Sequence, residues 1–406
     1  MTNPLTKSKH DATSGYGRQW LDDDDRRAVR DVLDGPFLTQ GSKVAEFEAA
    51  LCEATGAKYA VAVSSGTAAL HIACLAAGLK PGDHAVTSAI TFLASANAPI
   101  YCGAECGFAD VDPLTVSVSA QTIRAAMDRQ NSTRVVIPVH FAGLSTGARE
   151  LRAVVGDEAT IIEDACHAFG GVDEEGVPVG SCAHADMAIL SFHPVKSVTT
   201  AEGGAVTTND AELAHQLRLL RSHGMVRDAE EWNHPEDGLE GAELKPWYYE
   251  QQVLGFNFRM TELQAALGLS QMGKLGMFMA KRRVLATHYI ELLKDLDFVR
   301  PIHDAQQVAR SANHLLAVRM DFSALGRSRR AVMQYLTERE IGSQVHYIPV
   351  YRQPYHAQRS GLGKADFPMA EEYYAQCLSL PLHVGMEIDD VAYVVDVLKK
   401  MLGTHK

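Results

Sequence analysis

The chain has no long apolar segment and comparatively few positively charged residues. Its 406 residues include 38 lysines and arginines against 50 acidic residues, a formal net charge of −12. An acidic chain without a dense Lys/Arg cluster is a poor candidate for binding nucleic acid. No apolar run is long enough to span a bilayer, and the first residues, MTNPLTKSKHDATSGYG, lack the apolar core of a signal peptide. We therefore expect a cytoplasmic protein without nucleic-acid or membrane partners.

Cysteine is scarce, and its seven copies are an odd number scattered through a long chain. This distribution favours reduced thiols over a disulfide framework. Cys102 and Cys106 are four residues apart, but no second pair of cysteines or histidines completes a zinc site. The sequence therefore predicts no metal site, and these thiols are interpreted as packing residues.

Short apolar segments alternate with helical patterns between residues 59 and 210. The segments with the character of buried strands are 59–65, 84–89, 134–141, 159–164, 186–192 and 204–210. This alternation predicts an α/β fold with a mostly parallel central sheet covered by helices on both faces. Ligands of such sheets bind beyond the carboxyl ends of the strands. The polar residues at those ends are Ser65, His140, Asp164 and Ser191.

The length of the chain predicts more than one domain. We expect a large domain over residues 1–280, which includes helices at 22–35 and 43–56. The helical stretch 260–296 leads out of it. A smaller C-terminal α+β domain is predicted over residues 281–406, with a strand at 313–322 and helices at 329–340 and 389–402.

Lys196 lies between an apolar strand and a glycine pair in SFHPVKSVTTAEGGAV. Asp164 ends the preceding apolar strand, and a carboxylate at a buried strand end needs a partner. Pyridoxal phosphate (PLP) would use both residues. Its ring nitrogen pairs with an ionised acid, and its aldehyde forms a Schiff base with a lysine. Taken alone, however, a strand-end aspartate is more often a helix cap or an ion-pair partner.

The segment SSGTAAL, residues 64–70, runs from a strand through glycine into a helix. Amides at a helix N-terminus favour a phosphate group, Gly66 permits close approach, and Thr67 adds a hydroxyl. A simple helix cap is an equally good interpretation. Ser191 could supply another hydroxyl, and Phe92 could cover a ring, although a core aromatic is the commoner role.

Six collinear segments resemble the DegT/DnrJ/EryC1/StrS nucleotide-sugar aminotransferases. They are FLTQG (37–41), SSGTAAL, TFLASANA (91–98), IIEDACHAFGG (161–171), SFHPVKSVTTAEGGAV and GFNFRMTELQAALG (255–268). The resemblance extends from about Tyr16 to the terminal helix. It implies a fold-type I PLP-dependent transferase that works as a homodimer.

The resemblance also implies a role for individual residues. Lys196 matches the Schiff-base lysine and general acid–base, and Asp164 matches the partner of the pyridine nitrogen. His167 would lie near the ring hydroxyl, and Phe92 would stack on the ring. The implied phosphate contacts are Gly66, Thr67, Ala68 and Ser191, joined by Asn257 from the other subunit. The implied substrate contacts are His223, His346 and Tyr347.

Four segments are similar to the members of this family that serve pseudaminic acid synthesis. They are FHPVK (192–196), HGMVRD (223–228), WYYEQQVLGFNFR (247–259) and QVHYIPVYRQPYH (344–356). The implied reaction moves the amino group of L-glutamate to C4 of a UDP-linked 4-keto-6-deoxy N-acetylhexosamine and releases 2-oxoglutarate. Transaminases of the bacillosamine or perosamine type share most of this chemistry.

Three other functions are alternatives. A sugar dehydratase of the same family would carry another residue, often histidine, in place of Lys196. A non-catalytic regulator would be expected to lose Lys196 or Asp164, and both are present. A desulfurase would need a cysteine in a mobile loop motif, and the sequence shows none.

Overall fold

A seven-stranded sheet lies at the centre of the large domain. The computed structural model describes residues 13–130, 132–157 and 159–402. The strands are β1 (Tyr59–Val63), β2 (His84–Ser88), β3 (Glu105–Ala109), β4 (Thr133–Ile137), β5 (Thr160–Asp164), β6 (Met187–Ser191) and β7 (Gly204–Thr208). Their order is β1-β7-β6-β5-β4-β2-β3. The pairs from β3 to β6 are parallel, and β7 is antiparallel to both of its neighbours. The predicted α/β fold with a mostly parallel sheet is therefore confirmed.

Helices cover both faces of the sheet. They are α1 (Asp23–Leu33), α2 (Lys43–Thr55), α3 (Gly66–Ala76), α4 (Leu93–Tyr101), α5 (Ala120–Asp128), α6 (Ala148–Val155) and α7 (Ala211–Arg221). Four consecutive aspartates, residues 22–25, lie at the start of α1, where Asp22 and Asp25 form a reciprocal capping box. Helix α3 is rich in alanine, so it packs closely against β6 and β7.

Strand β3 is an element that the sequence pattern did not predict. Its residues, ECGFA, include glutamate and glycine, which are depleted in strands. It forms nevertheless, because β2 offers it a parallel partner at the edge of the sheet. Tertiary pairing outweighs the weak local preference here.

The helical stretch predicted at 260–296 is divided into two helices. Four short strands precede it: β8 (Met225–Val226), β9 (Leu239–Glu240), β10 (Glu243–Leu244) and β11 (Glu250–Gln251). Helices α8 (Glu262–Met272) and α9 (Leu275–Leu293) then meet at Gly273 and Lys274. The ammonium group of Lys274 lies 2.5 Å from Asp22 Oδ1 and 2.8 Å from Asp25 Oδ1, which ties the break to α1.

The C-terminal part has its own sheet and hydrophobic core, as the predicted α+β domain requires. Its antiparallel strands are β12 (Val299–Pro301), β13 (Leu316–Met320) and β14 (Cys377–Leu380). Its helices are α10 (Ala305–Arg310), α11 (Arg329–Thr337), α12 (Pro354–Ser360), α13 (Pro368–Gln376) and α14 (Ile388–Leu402). One core cluster begins at Leu285 and ends at Met401. Another joins both parts through Phe108 and Tyr351, so the domain boundary at residue 280 stays a prediction.

Across the ranges that the structure describes, we find no helix with the length and apolar character needed to cross a membrane.

Gly268 provides a test of the contact between α8 and α2. A Cβ atom at Gly268 would lie 2.7 Å from the Phe47 ring, which is fully buried. We expect Gly268→Ala to lower the free energy of unfolding by about 1–3 kcal/mol, because overpacking forces the core apart. Gly276→Ala is the matched control, since its Cβ would meet open space in α9 and should stabilise the helix by up to about 1 kcal/mol. Urea unfolding measures both, and equal effects would contradict tight packing at Gly268.

Candidate active site

A cavity of about 630 Å³ opens at the carboxyl edge of the large sheet. The part of the chain with the large sheet contributes residues from the ends of β1, β5 and β6 and from the start of α4. The segment 344–348 of the C-terminal part also lines the cavity. Nine residues of the predicted site line this cavity: Gly66, Thr67, Phe92, Asp164, His167, Ser191, Lys196, His346 and Tyr347.

The start of α3 forms a shallow cradle in the cavity wall. Ser65 caps the helix, and its hydroxyl accepts the amide of Ala68 at 3.1 Å. A Cβ at Gly66 would lie 3.1 Å from Ser191 Cβ, and one at Gly204 would lie 2.6 Å from the Gly66 nitrogen. Glycine is therefore required for this close backbone approach. The cradle joins helix N-terminal amides to the hydroxyl groups of Thr67 and Ser191, which suits a phosphate group.

Asp164 lies at the end of β5 and is only 6% exposed. Its Oδ2 accepts a hydrogen bond of 2.6 Å from the Ser95 hydroxyl, and its Oδ1 accepts one of 3.2 Å from the Cys166 amide. An ionised carboxylate has about four acceptor positions. Asp164 can therefore also accept a hydrogen bond from a donor in the cavity.

Lys196 lies on the segment that joins β6 to β7, and its side chain is half-buried at the cavity wall. Burial lowers the pKa of Lys196, and its neighbours Cys166 and Asp164 act in the opposite direction. No hydrogen bond or ion pair holds its ammonium nitrogen among the residues that the structure describes. The amine is thus accessible from the cavity and is more readily neutral than a surface lysine.

His167 and Tyr347 form a polar contact across the cavity. The Tyr347 hydroxyl lies 3.2 Å from His167 Nε2, while His167 Nδ1 has no partner within the described ranges. Burial lowers the pKa of His167 well below its ordinary value, and the positive charge of Lys196 acts in the same direction. Burial raises the pKa of Tyr347 well above its ordinary value. Both side chains are therefore uncharged at neutral pH.

His346 stands beside this contact and is almost fully buried. Its Nδ1 lies 2.8 Å from the Ser379 hydroxyl, and its ring packs edge-on to Tyr16 at 4.8 Å. Burial, followed by the charge of Lys196, lowers the pKa of His346 to about 3. It can exchange hydrogen bonds with a ligand without adding a charge.

Phe92 presents its ring at the mouth of the cavity, where 57% of the side chain is exposed. It precedes α4 as the N-cap residue, and its ring centroid lies 6.2 Å from that of Tyr347. A large exposed aromatic beside an acid and an amine is in position to cover a planar ligand.

Three predicted site residues lie outside the cavity of this chain. Ala68 is buried, and its amide is already bonded to Ser65. His223 is exposed in a left-handed backbone conformation. Asn257 is also exposed, and its backbone pairs with Ser222. The exposed position of Asn257 is compatible with the predicted contact to the phosphate in another subunit, which stays a prediction.

Three residues of the site were not predicted from the sequence: Ser95, Cys166 and Tyr16. Ser95 lies inside TFLASANA and Cys166 inside IIEDACHAFGG, so the matched segments carried a signal for both. Tyr16 stands alone near the start of the described chain. No local pattern connects it with His346, because that contact depends on the tertiary fold.

Comparison with known proteins supports an enzymatic site. Residues 19–399 match the DegT/DnrJ/EryC1/StrS aminotransferase family. The chain is 36% identical to the spore coat polysaccharide biosynthesis protein SpsC of Bacillus subtilis, over 95% of this chain and 96% of that protein. It is 32% identical to the UDP-4-amino-4-deoxy-L-arabinose–oxoglutarate aminotransferase of Shewanella sediminis, over 95% and 97%. Among solved structures, Helicobacter pylori PseC, an aminotransferase of pseudaminic acid biosynthesis, is 30% identical with a TM-score of 0.84, over 96% and 99%.

The low pKa of His346 predicts that its ring stays neutral throughout the neutral range. In the unfolded chain the pKa of this histidine is about 6.5, so the unfolded state binds the proton more tightly than the folded state. The contribution of neutral His346 to the free energy of unfolding is therefore fully present above about pH 6.5 and declines as the pH falls below that value. In NMR spectra of histidine-labelled protein, we expect the His346 signal to stay constant between about pH 5.5 and 8. His346→Gln identifies the signal by its loss. A midpoint near 6.5 would contradict the burial of the ring.

Proposed function

Because this chain belongs to the DegT/DnrJ/EryC1/StrS aminotransferase family, we propose that it transfers the amino group of L-glutamate to C4 of a UDP-linked 4-keto-6-deoxy N-acetylhexosamine. The family membership confirms the predicted aminotransferase activity on sugar nucleotides and the dependence of such enzymes on PLP. The identity of the sugar, of the pseudaminic acid type, is the finer part of the proposal. Its support is the likeness to PseC together with the segments 247–259 and 344–356.

The observation that carries the proposal is the placement of Lys196 and Asp164 in one cavity beside the Gly66 cradle. The fit of PLP to this cavity follows from three separate features. An accessible amine is available for its aldehyde, a buried carboxylate for its ring nitrogen, and glycine-lined helix amides for its phosphate. The exposed Phe92 ring would cover one face of the cofactor.

Bound PLP supplies an aldehyde that accepts the amino group and a ring that delocalises negative charge. Lys196 would take the proton from Cα of glutamate as a general base and deliver it to the cofactor as a general acid within the same half-reaction. In the second half-reaction it would move a proton in the reverse direction, from the cofactor to C4 of the sugar. The depressed pKa of Lys196 suits this role, since a neutral amine is required to accept a proton. Asp164 would hold a proton on the ring nitrogen, and the start of α3 would hold the phosphate.

We assign the sugar side of the cavity to His346 and Tyr347. Both side chains are uncharged at neutral pH, and both lie on the wall formed by the C-terminal domain. Neutral donors and acceptors suit the hydroxyl and N-acetyl groups of a hexosamine better than they suit a diphosphate. A bacillosamine- or perosamine-type sugar is the alternative substrate.

We propose that the active enzyme is a homodimer in which Asn257 reaches the phosphate of the other subunit. Asn257 is exposed and lies outside its own cavity. Its neighbour Leu254 is 82% exposed, and such an apolar side chain favours burial against another protein surface.

An absorbance experiment tests the reaction directly. PLP-loaded protein should show a band near about 410–430 nm that moves to about 330 nm with L-glutamate and returns when the UDP-linked 4-keto sugar is added. Lys196→Ala should lose this response and all turnover, because no amine remains to carry the proton. Lys399→Ala, at an exposed position on α14, is the matched control and should behave as the parent protein.

Each step of this experiment tests a different part of the proposal. Turnover by Lys196→Ala at the parent rate would contradict the role of the lysine. A band that shifts with L-glutamate but does not return when the sugar is added would contradict the proposed sugar substrate and still support aminotransferase activity. Recovery with a bacillosamine or perosamine precursor alone would select the alternative.

Mixing two inactive variants tests the shared site. Asn257→Asp should prevent cofactor binding through charge repulsion with the phosphate, and Lys196→Ala has no catalytic amine. If subunits exchange at random, half of the dimers pair the two variants and each has one intact site, so activity should return to about a quarter of the parent level. No recovery after verified subunit exchange would place Asn257 outside the partner's site.

A further inference from the structure

Two hydroxyl groups in series, those of Thr91 and Ser95, hold the carboxylate of Asp164, and neither residue has a role in the site described above. We call this pair the relay. The Ser95 hydroxyl lies 2.6 Å from Asp164 Oδ2, and the Thr91 hydroxyl lies 2.8 Å from the Ser95 hydroxyl. All three side chains are buried, with Ser95 wholly inaccessible and Thr91 only 2% exposed.

The directions of these hydrogen bonds follow from the chemistry of the groups. An ionised carboxylate can only accept, so Ser95 must use its single proton to donate to Asp164. The oxygen of Ser95 is then left as an acceptor, so Thr91 must donate to it. The relay therefore runs in one direction, from Thr91 through Ser95 to Asp164.

The local fold places the relay where it controls the angle of the carboxylate. Thr91 and Ser95 flank Phe92 at the start of α4, whereas the Cys166 amide that bonds Oδ1 belongs to the segment after β5. Two separate elements thus hold the two oxygens of Asp164. A carboxylate fixed at both ends cannot rotate away from a cavity ligand.

We propose that Ser95, supported by Thr91, is a positioning residue that holds Asp164 in line with the ring nitrogen of the cofactor. This inference rests on the proposed PLP site and extends it. Without the relay, the protein remains folded, but Asp164 keeps the ring nitrogen protonated less effectively. A positive charge on the ring disfavours a second positive charge on the nitrogen of Lys196. When the ring is less positive, that nitrogen is protonated more easily, so the pH midpoint of the visible band of the cofactor should rise.

The test compares the PLP-loaded parent with Ser95→Ala, Thr91→Val and Thr91→Ser. We expect Ser95→Ala and Thr91→Val to raise the midpoint of the band's pH titration by up to about one pH unit, to speed PLP release, and to lower kcat about tenfold. Thr91→Ser keeps the hydroxyl and should behave as the parent. Asp164→Asn should shift the midpoint in the same direction and further.

Ser88→Ala is the matched control for the loss of a buried hydroxyl. Ser88 is 1% exposed and donates to the Ile90 carbonyl at 3.0 Å, outside the relay. Its variant should match Ser95→Ala in unfolding temperature without PLP and match the parent in the pH titration. An unchanged midpoint in both Ser95→Ala and Thr91→Val would overturn the relay. If the parent itself shows no visible band with PLP, the proposed function fails first and the inference fails with it.

Discussion

The burial of one carboxylate at the carboxyl edge of a parallel sheet is the constraint on which the site depends. A charge removed from water is costly unless hydrogen bonds replace its hydration. Asp164 obtains them from Ser95 and from the Cys166 amide, and its remaining acceptor positions face the cavity. The strand order places β5 between β4 and β6, so loops from both sides of the sheet converge on this carboxylate.

Lys196 reaches the same edge because it follows β6, which runs parallel to β5, and the reversed direction of β7 keeps the whole connecting segment there. Since β6 and β7 are antiparallel, the segment between them leaves and returns at one end of the sheet. The Phe192 amide bonds the Gly203 carbonyl at 2.9 Å, and the Thr200 amide bonds the Phe192 carbonyl at 2.9 Å. These bonds close the segment around Lys196, whose amine faces the cavity rather than solvent.

Three titratable groups beside Lys196 and Asp164 stay neutral. Burial keeps His167 and His346 deprotonated and Tyr347 protonated. A lysine and an aspartate surrounded by neutral groups interact more strongly than they would in water. On the side of His167, His346 and Tyr347, the cavity therefore offers hydrogen-bonding groups that carry no charge.

Local periodicity was sufficient to predict the α/β alternation, and long matched segments were sufficient to predict the residue types of the candidate site. Lys196 and Asp164 could be found in this way. Only the folded chain shows that β7 is antiparallel, that ECGFA forms β3, and that Ser95 reaches Asp164. Such contacts join residues far apart in the chain, and their pairing energy outweighs local propensity. No pattern within a single segment records them.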